Sequence, residues 1–214
     1  MNYLQFKNRF QNIPIIRSRD LTGASPKGQN MRNQLLRWQK KGLILRLRRG
    51  VYLLNENDRK INPSRCFLAN QIYGPSYISL EYAMNFYGLI PEKVADVTSV
   101  TTKKTFSLKN KLGLFIYKHI KSSGFSGFKL LKEPNGLPCL IAVPEKAIID
   151  FLYFNLKRIK GRPEDLFKYS YRLQNLEKIS RRKIMLFALS LGNKKLIKIA
   201  GVFCDFVKKE KRNV

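Results

Sequence analysis

Residues 30–54 read NMRNQLLRWQKKGLILRLRRGVYLL, a helical period that runs directly into a strand-like hairpin. In its first half Met31, Leu35 and Trp38 recur at helical spacing on one face, while Asn33, Arg37, Lys40 and Lys41 line a polar face. Asn30 is placed to cap the start of this helix and Gly42 to end it. The second half, LILRLRRGVYLL, reads as two short apolar strands around a turn at Arg49 and Gly50, a hairpin with an arginine-rich tip. Upstream, Leu4, Phe6 and Phe10 predict a short amphipathic helix, and IIRSRDLTG predicts a second helix ending at Gly23. Three helices followed by a basic hairpin make a winged helix-turn-helix, predicted for residues 1–57. The connection GASPKGQN is longer than the tight turn of a simple helix-turn-helix, which leaves the start of the third helix open.

A helix of this size fits the major groove of DNA, with residues near its N-terminal end meeting base edges and flanking cations meeting phosphates. Gln29, Arg32, Asn33 and Arg37 are the candidates for base or groove contacts, and Lys40 and Lys41 for phosphates. Arg46, Arg48 and Arg49 of the hairpin are placed to enter the neighbouring minor groove or to grip its backbone. For each element alone, a solvated surface helix and a charged edge that discourages aggregation explain the pattern equally well. Their succession in one segment carries the DNA reading.

Composition agrees with a polyanionic partner. Lys and Arg number 42 against 14 acidic residues, giving a formal net charge of +28. Residues 1–56 hold twelve of these cations and two acidic residues, so charge is densest there. With 44% hydrophobic residues the chain has the apolar area to fold. No apolar run reaches the length of a membrane span and the first residues lack a signal-peptide core, so no membrane partner and a cytoplasmic location are expected. Cys66, Cys139 and Cys204 lie far apart in apolar surroundings, which predicts reduced buried thiols and no disulfide or metal framework.

The polar stretch NENDRKINPS marks a boundary, and residues 58–214 form the second predicted domain. SRCFLANQIY and SLEYAMNFYGLIP predict helices, the second capped by Ser79 and closed near Gly88 and Pro91. VTSVTT, LGLFIYKHI, FKLLK and LPCLIAV predict strands. PEKAIIDFLYF opens a helix at Pro144, with Ala147, Ile148, Phe151 and Leu152 on one face, and the remainder reads as helical. The fold class is therefore α+β: a winged helix-turn-helix, then a mixed domain with a helical C-terminal end. Lys103, Lys104, Lys118 and Lys121 flank strands as a second basic face, open to DNA phosphates, an acidic protein surface, a nucleotide, or simply solvent.

The motifs KKGLILRLRRGVYLL, SYISLEYAMNFYGLIPE, VTSVTTKKT, LGLFIYKHIK and AVPEKAIIDFLYF, in this order, resemble the AbiEi family of antitoxins. They span most of residues 35–155. The resemblance implies a type IV toxin-antitoxin system linked to phage abortive infection. It further implies an N-terminal domain that represses its own promoter at inverted repeats, and a C-terminal domain that neutralises a nucleotidyltransferase-like toxin and assists DNA binding. The alternative is a stand-alone winged-helix regulator without a toxin.

Signs of catalysis are few. The single histidine, His119, sits in a strand-like run, and no Gly-rich phosphate loop, metal-ligand cluster or nucleophile elbow occurs. Glu145 and Asp150, five residues apart on a helix, do not share a face; Glu145 is expected to act on the helix dipole. No enzyme activity and no cofactor are expected.

Overall fold

The computed structural model describes residues 1–21, 28–159 and 161–210, with Gly28 and Gln29 described by backbone alone. Helix α1 (Tyr3–Phe10) starts at a capping box in which Asn2 and Gln5 each satisfy the other's backbone N–H at 2.9 Å. Phe6 and Phe10 face inward, while Leu4 is 63% exposed and plays no part in the core expected of it. The predicted second helix is not formed over its described residues, 15–21, and its expected end at Gly23 lies outside the described residues. Strand β1 (Ile16–Arg17) and a 3-10 turn (Ser18–Leu21) replace it. The β-branched Ile16 finds a strand partner in Tyr52, a non-local pairing that outweighs local helical periodicity.

Helix α2 (Gly28–Lys40) begins two residues before Asn30, so Asn30 lies within the helix rather than at its cap. Its end is as expected. Gly42 takes φ +71°, and the Leu43 N–H reaches back to the Trp38 carbonyl at 2.9 Å. Strands β2 (Ile44–Arg48) and β3 (Val51–Leu54) form the wing, with β3 between β1 and β2 in an antiparallel sheet. Alternate residues of β3 serve two cores. Tyr52 and Leu54 pack with Phe6, Leu35 and Trp38, whereas Val51 and Leu53 join Ile15 and Leu47 against the rest of the chain. A strand buried on both faces reads as a continuous apolar run, which is why VYLL does not alternate.

Residues 55–64 are tied down by side chains. Tyr3 donates to Asp58 at 2.7 Å, Lys7 pairs with Asp58 at 2.6 Å, and Arg59 donates to the Leu54 carbonyl at 3.0 Å. Beyond them come α3 (Arg65–Ile72), β4 (Ser76–Ile78) and α4 (Leu80–Phe86). Strands β5 (Val97–Thr101), β6 (Phe106–Asn110), β7 (Gly113–His119), β8 (Phe128–Lys132) and β9 (Pro138–Ala142) complete a six-stranded sheet in the order β6-β7-β5-β4-β9-β8. β4 and β6 were not anticipated. The sheet is mixed: β5 runs parallel to β7 and β4 to β9, and the other neighbours are antiparallel.

Helix α5 (Pro144–Asn155) is buried around its whole first half. A short helix α6 (Pro163–Asp165) continues into a π-helical turn (Leu166–Ser170), and α7 (Arg181–Leu191) and α8 (Lys194–Glu210) form a helical hairpin joined at Gly192. The PEKAIID segment at the start of α5 is structural glue. Asp150 accepts hydrogen bonds from Tyr77 at 2.9 Å, from Ser79 at 2.8 Å and from Lys146, all out of reach of solvent. Burial pushes the Asp150 carboxyl up and the Lys146 ammonium down, each opposed by the other's charge. Ser79 holds the N-cap position of α4, but its hydroxyl serves Asp150 instead of the helix. Glu145 points elsewhere, accepting from the Ser180 N–H at 3.1 Å at the N-terminus of α7.

Candidate nucleic-acid interface

The helical period of α2 divides its side chains cleanly. Met31, Leu35 and Trp38 are buried, with the Trp38 indole 4.8 Å from the Phe6 ring. Arg32, Asn33, Arg37, Lys40 and Lys41 are exposed, so the structure brings these predicted residues onto one outward surface. Leu36 shares it at 51% exposure, an apolar group among cations that sequence reasoning passed over. A thymine methyl is the base feature such a side chain suits. The side chain of Gln29 lies outside the described residues.

The wing separates the three hairpin arginines. Arg46 and Arg49 are exposed. Between Arg46 and Arg48 the register of β2 against β3 shifts, and this bulge re-aims Arg48. Its Nη1 donates to the Ile72 carbonyl at 2.5 Å, and its guanidinium lies 5.9 Å from the Tyr73 ring centre. Arg48 thus anchors the wing to α3 rather than projecting from the tip beside Arg49. Arg17 makes a parallel link from β1 to Gln71 of α3. At the turn, Gly50 takes φ +77°, and a Cβ there would meet the Ser18 hydroxyl at 3.3 Å.

β2 and β6 are the outer strands of their sheets, and they face each other across a groove of about 490 Å³. Gln39, Arg46, Arg49, Tyr73, Phe106 and Lys109 line it. Asn110 also lines it and ties the two strands together, donating to the Leu47 carbonyl at 3.3 Å. Exposed Lys109 and Lys111 therefore continue the basic surface of the wing onto the second sheet. Sequence reasoning missed both because β6 was not recognised, although the alternation of Phe106 and Leu108 with Ser107 and Lys109 carries a strand signal.

The predicted second basic face is dispersed. Lys103 turns back onto the Gly74 carbonyl and the Tyr73 ring. Lys104 is exposed beside it, its carbonyl accepting from the Tyr73 hydroxyl at 3.1 Å. Lys118 is half-buried on β7, and Lys121 lies beside Gly192 in the α7–α8 turn. His119 is exposed, with Nδ1 2.9 Å from the Lys103 carbonyl.

Residues 7–55 match the family model described as "Transcriptional regulator, AbiEi antitoxin". The resemblance read from the wing motif thus holds for the winged helix. Among solved structures, the crystal structure of the RV2827C protein from Mycobacterium tuberculosis is similar in fold, with a TM-score of 0.55 at 11% identity. The likeness covers 96% of this chain and 75% of that one. No curated protein matches the chain. Among the described residues, no helix is long and apolar enough to cross a membrane.

Proposed function

We propose that this chain is a DNA-binding antitoxin that represses its own promoter and neutralises a nucleotidyltransferase-like toxin. The observation that carries the DNA half is the outward face of α2, with Arg32, Asn33, Arg37, Lys40 and Lys41 beside the exposed wing arginines Arg46 and Arg49. In this reading α2 enters the major groove, Arg32, Asn33 and Arg37 meet base edges or the groove walls, and Lys40 and Lys41 meet phosphates. Arg46 and Arg49 hold the adjacent backbone or minor groove. The match of residues 7–55 to antitoxin regulators supports the same role.

The chain acts by binding and not by catalysis. Both oxygens of Asp150 are occupied by internal donors, and Glu145 is buried with Oε1 accepting from α7, which supports a structural role for both carboxylates of the PEKAIID motif. Toxin restraint rests on the family likeness, and a regulator working without a toxin is the second reading, favoured by a match that lies on the winged helix. The decisive assay is a salt-series gel shift comparing the chain's own upstream DNA with a shuffled duplex of equal length. A preference of roughly a thousandfold or more for its own DNA at physiological salt is expected; equal binding of both would overturn the repressor. Co-expression with an adjacent nucleotidyltransferase gene tests the toxin half, and undiminished toxicity would overturn it.

A further inference from the structure

We infer that Cys66, Cys139 and Glu133 form a binding site for a thiophilic divalent cation of the zinc class. The three residues come from separate elements: Cys66 from the first turn of α3, Cys139 from β9, and Glu133 from the turn that follows β8. Their sulfur and carboxylate ligand atoms all lie within 4.8 Å of one another. Two thiolates and a carboxylate are a donor set that zinc accepts and that calcium or magnesium does not favour. Around a tetrahedral zinc such donors stand about 3.5–3.8 Å apart, so small side-chain rotations complete the geometry. A solvent water would supply the fourth ligand.

Glu133 distinguishes a cation site from a mere thiol pair. Its Oε1 accepts from the Ser64 hydroxyl, whereas Oε2 is buried with no hydrogen-bond partner. A buried carboxylate oxygen left unpaired is costly, and a disulfide between the two cysteines would leave it so. A cation gives it a ligand. Ser64 supplies the outer support such sites need, since its hydroxyl also caps α3 by accepting from the Phe67 N–H at 3.0 Å. Nearby, Asn135 of the β8–β9 turn donates to the Asn62 carbonyl at 2.8 Å. The cation would therefore clamp the β8–β9 hairpin to the start of α3, the helix that receives Arg48 from the wing and Arg17 from β1. Binding displaces the two thiol protons to solvent.

Cobalt(II) titration of the full chain, reduced and stripped by chelator, tests this. One equivalent should bind with a thiolate-to-cobalt charge-transfer band, and zinc should displace it. Cys66→Ser and Cys139→Ser should abolish the band and Cys204→Ser should retain it. Glu133→Gln, which keeps both thiols, should weaken binding tenfold or more while circular dichroism stays unchanged. A wild-type chain without the band overturns the proposal, as does a band that survives loss of either cysteine or affinity indifferent to Glu133→Gln. So does aerobically isolated protein that carries a Cys66–Cys139 disulfide and no metal.

Discussion

Arg48 reaches from the wing to the carbonyl of Ile72, the last residue of α3, and so fixes the orientation of the β2–β3 hairpin relative to the larger sheet. Its neighbour Arg49 is left in solvent. One register shift in β2 gives adjacent arginines opposite tasks, and it sets the wing tip beside β6 with the groove between them.

Substitution should separate the two. Arg49→Ala is expected to reduce the slope of log K against log salt by about 0.9, the loss of one phosphate contact. Arg48→Ala should leave that slope unchanged and lower stability by about 1–3 kcal/mol through its lost charge-assisted hydrogen bond. Salt-series binding and urea unfolding of both variants check this. A slope change in Arg48→Ala alone would reverse the assignment.

Arg32, near the start of α2, is predicted to read bases. Arg32→Ala should cut the preference for the chain's own promoter over a shuffled duplex by about 1–3 kcal/mol. Lys40→Ala should weaken both duplexes alike and reduce the salt slope by about 0.9. Competition binding at fixed salt distinguishes them, and uniform loss in Arg32→Ala would place it on the phosphate backbone.

Local pattern was enough where one face of an element meets one core. The period of Met31, Leu35 and Trp38 marks the buried side of α2, and Gly42 marks its end, because both depend on neighbours in sequence. What failed depends on distant partners. Ile16 becomes a strand by pairing with Tyr52, and β4 is three residues held between β5 and β9. Arg48 is indistinguishable in sequence from Arg46 and Arg49, because the bulge that turns it is set by the fit of the wing on α3. Cys66 and Cys139 meet only because α3 packs against β9. In PEKAIID the i, i+4 spacing of Lys146 and Asp150 marks the buried pair, whereas Glu145 and Asp150 turn to different partners.

Asp58 makes folding sensitive to acid. Hydrogen bonding from Lys7, then from Tyr3, holds its carboxyl below the ordinary value of 3.8. A carboxylate depressed in the folded state stabilises fully above its unfolded pKa and loses that contribution as pH falls through the folded one. Stability should therefore decline below about pH 4, where the unfolded state begins to take up the proton first. Asp58→Asn should flatten this acid limb in urea unfolding between pH 2 and 5. An unchanged limb would assign it to other carboxylates.

The Lys146–Asp150 pair, fully buried, offers the sharpest test of what the PEKAIID motif does. Removing one partner strands the other's charge where burial already disfavours it, so Lys146→Ala or Asp150→Ala should cost about 3–5 kcal/mol. The two losses should not add, because the second removal relieves the charge left by the first. Asp150→Asn keeps an oxygen acceptor for Tyr77 and Ser79 and should cost less than Asp150→Ala. Urea unfolding of the four variants, with the double alanine variant closing the cycle, measures the coupling. If instead every variant keeps wild-type stability and promoter repression fails, the pair serves function directly and the structural role assigned to it is wrong.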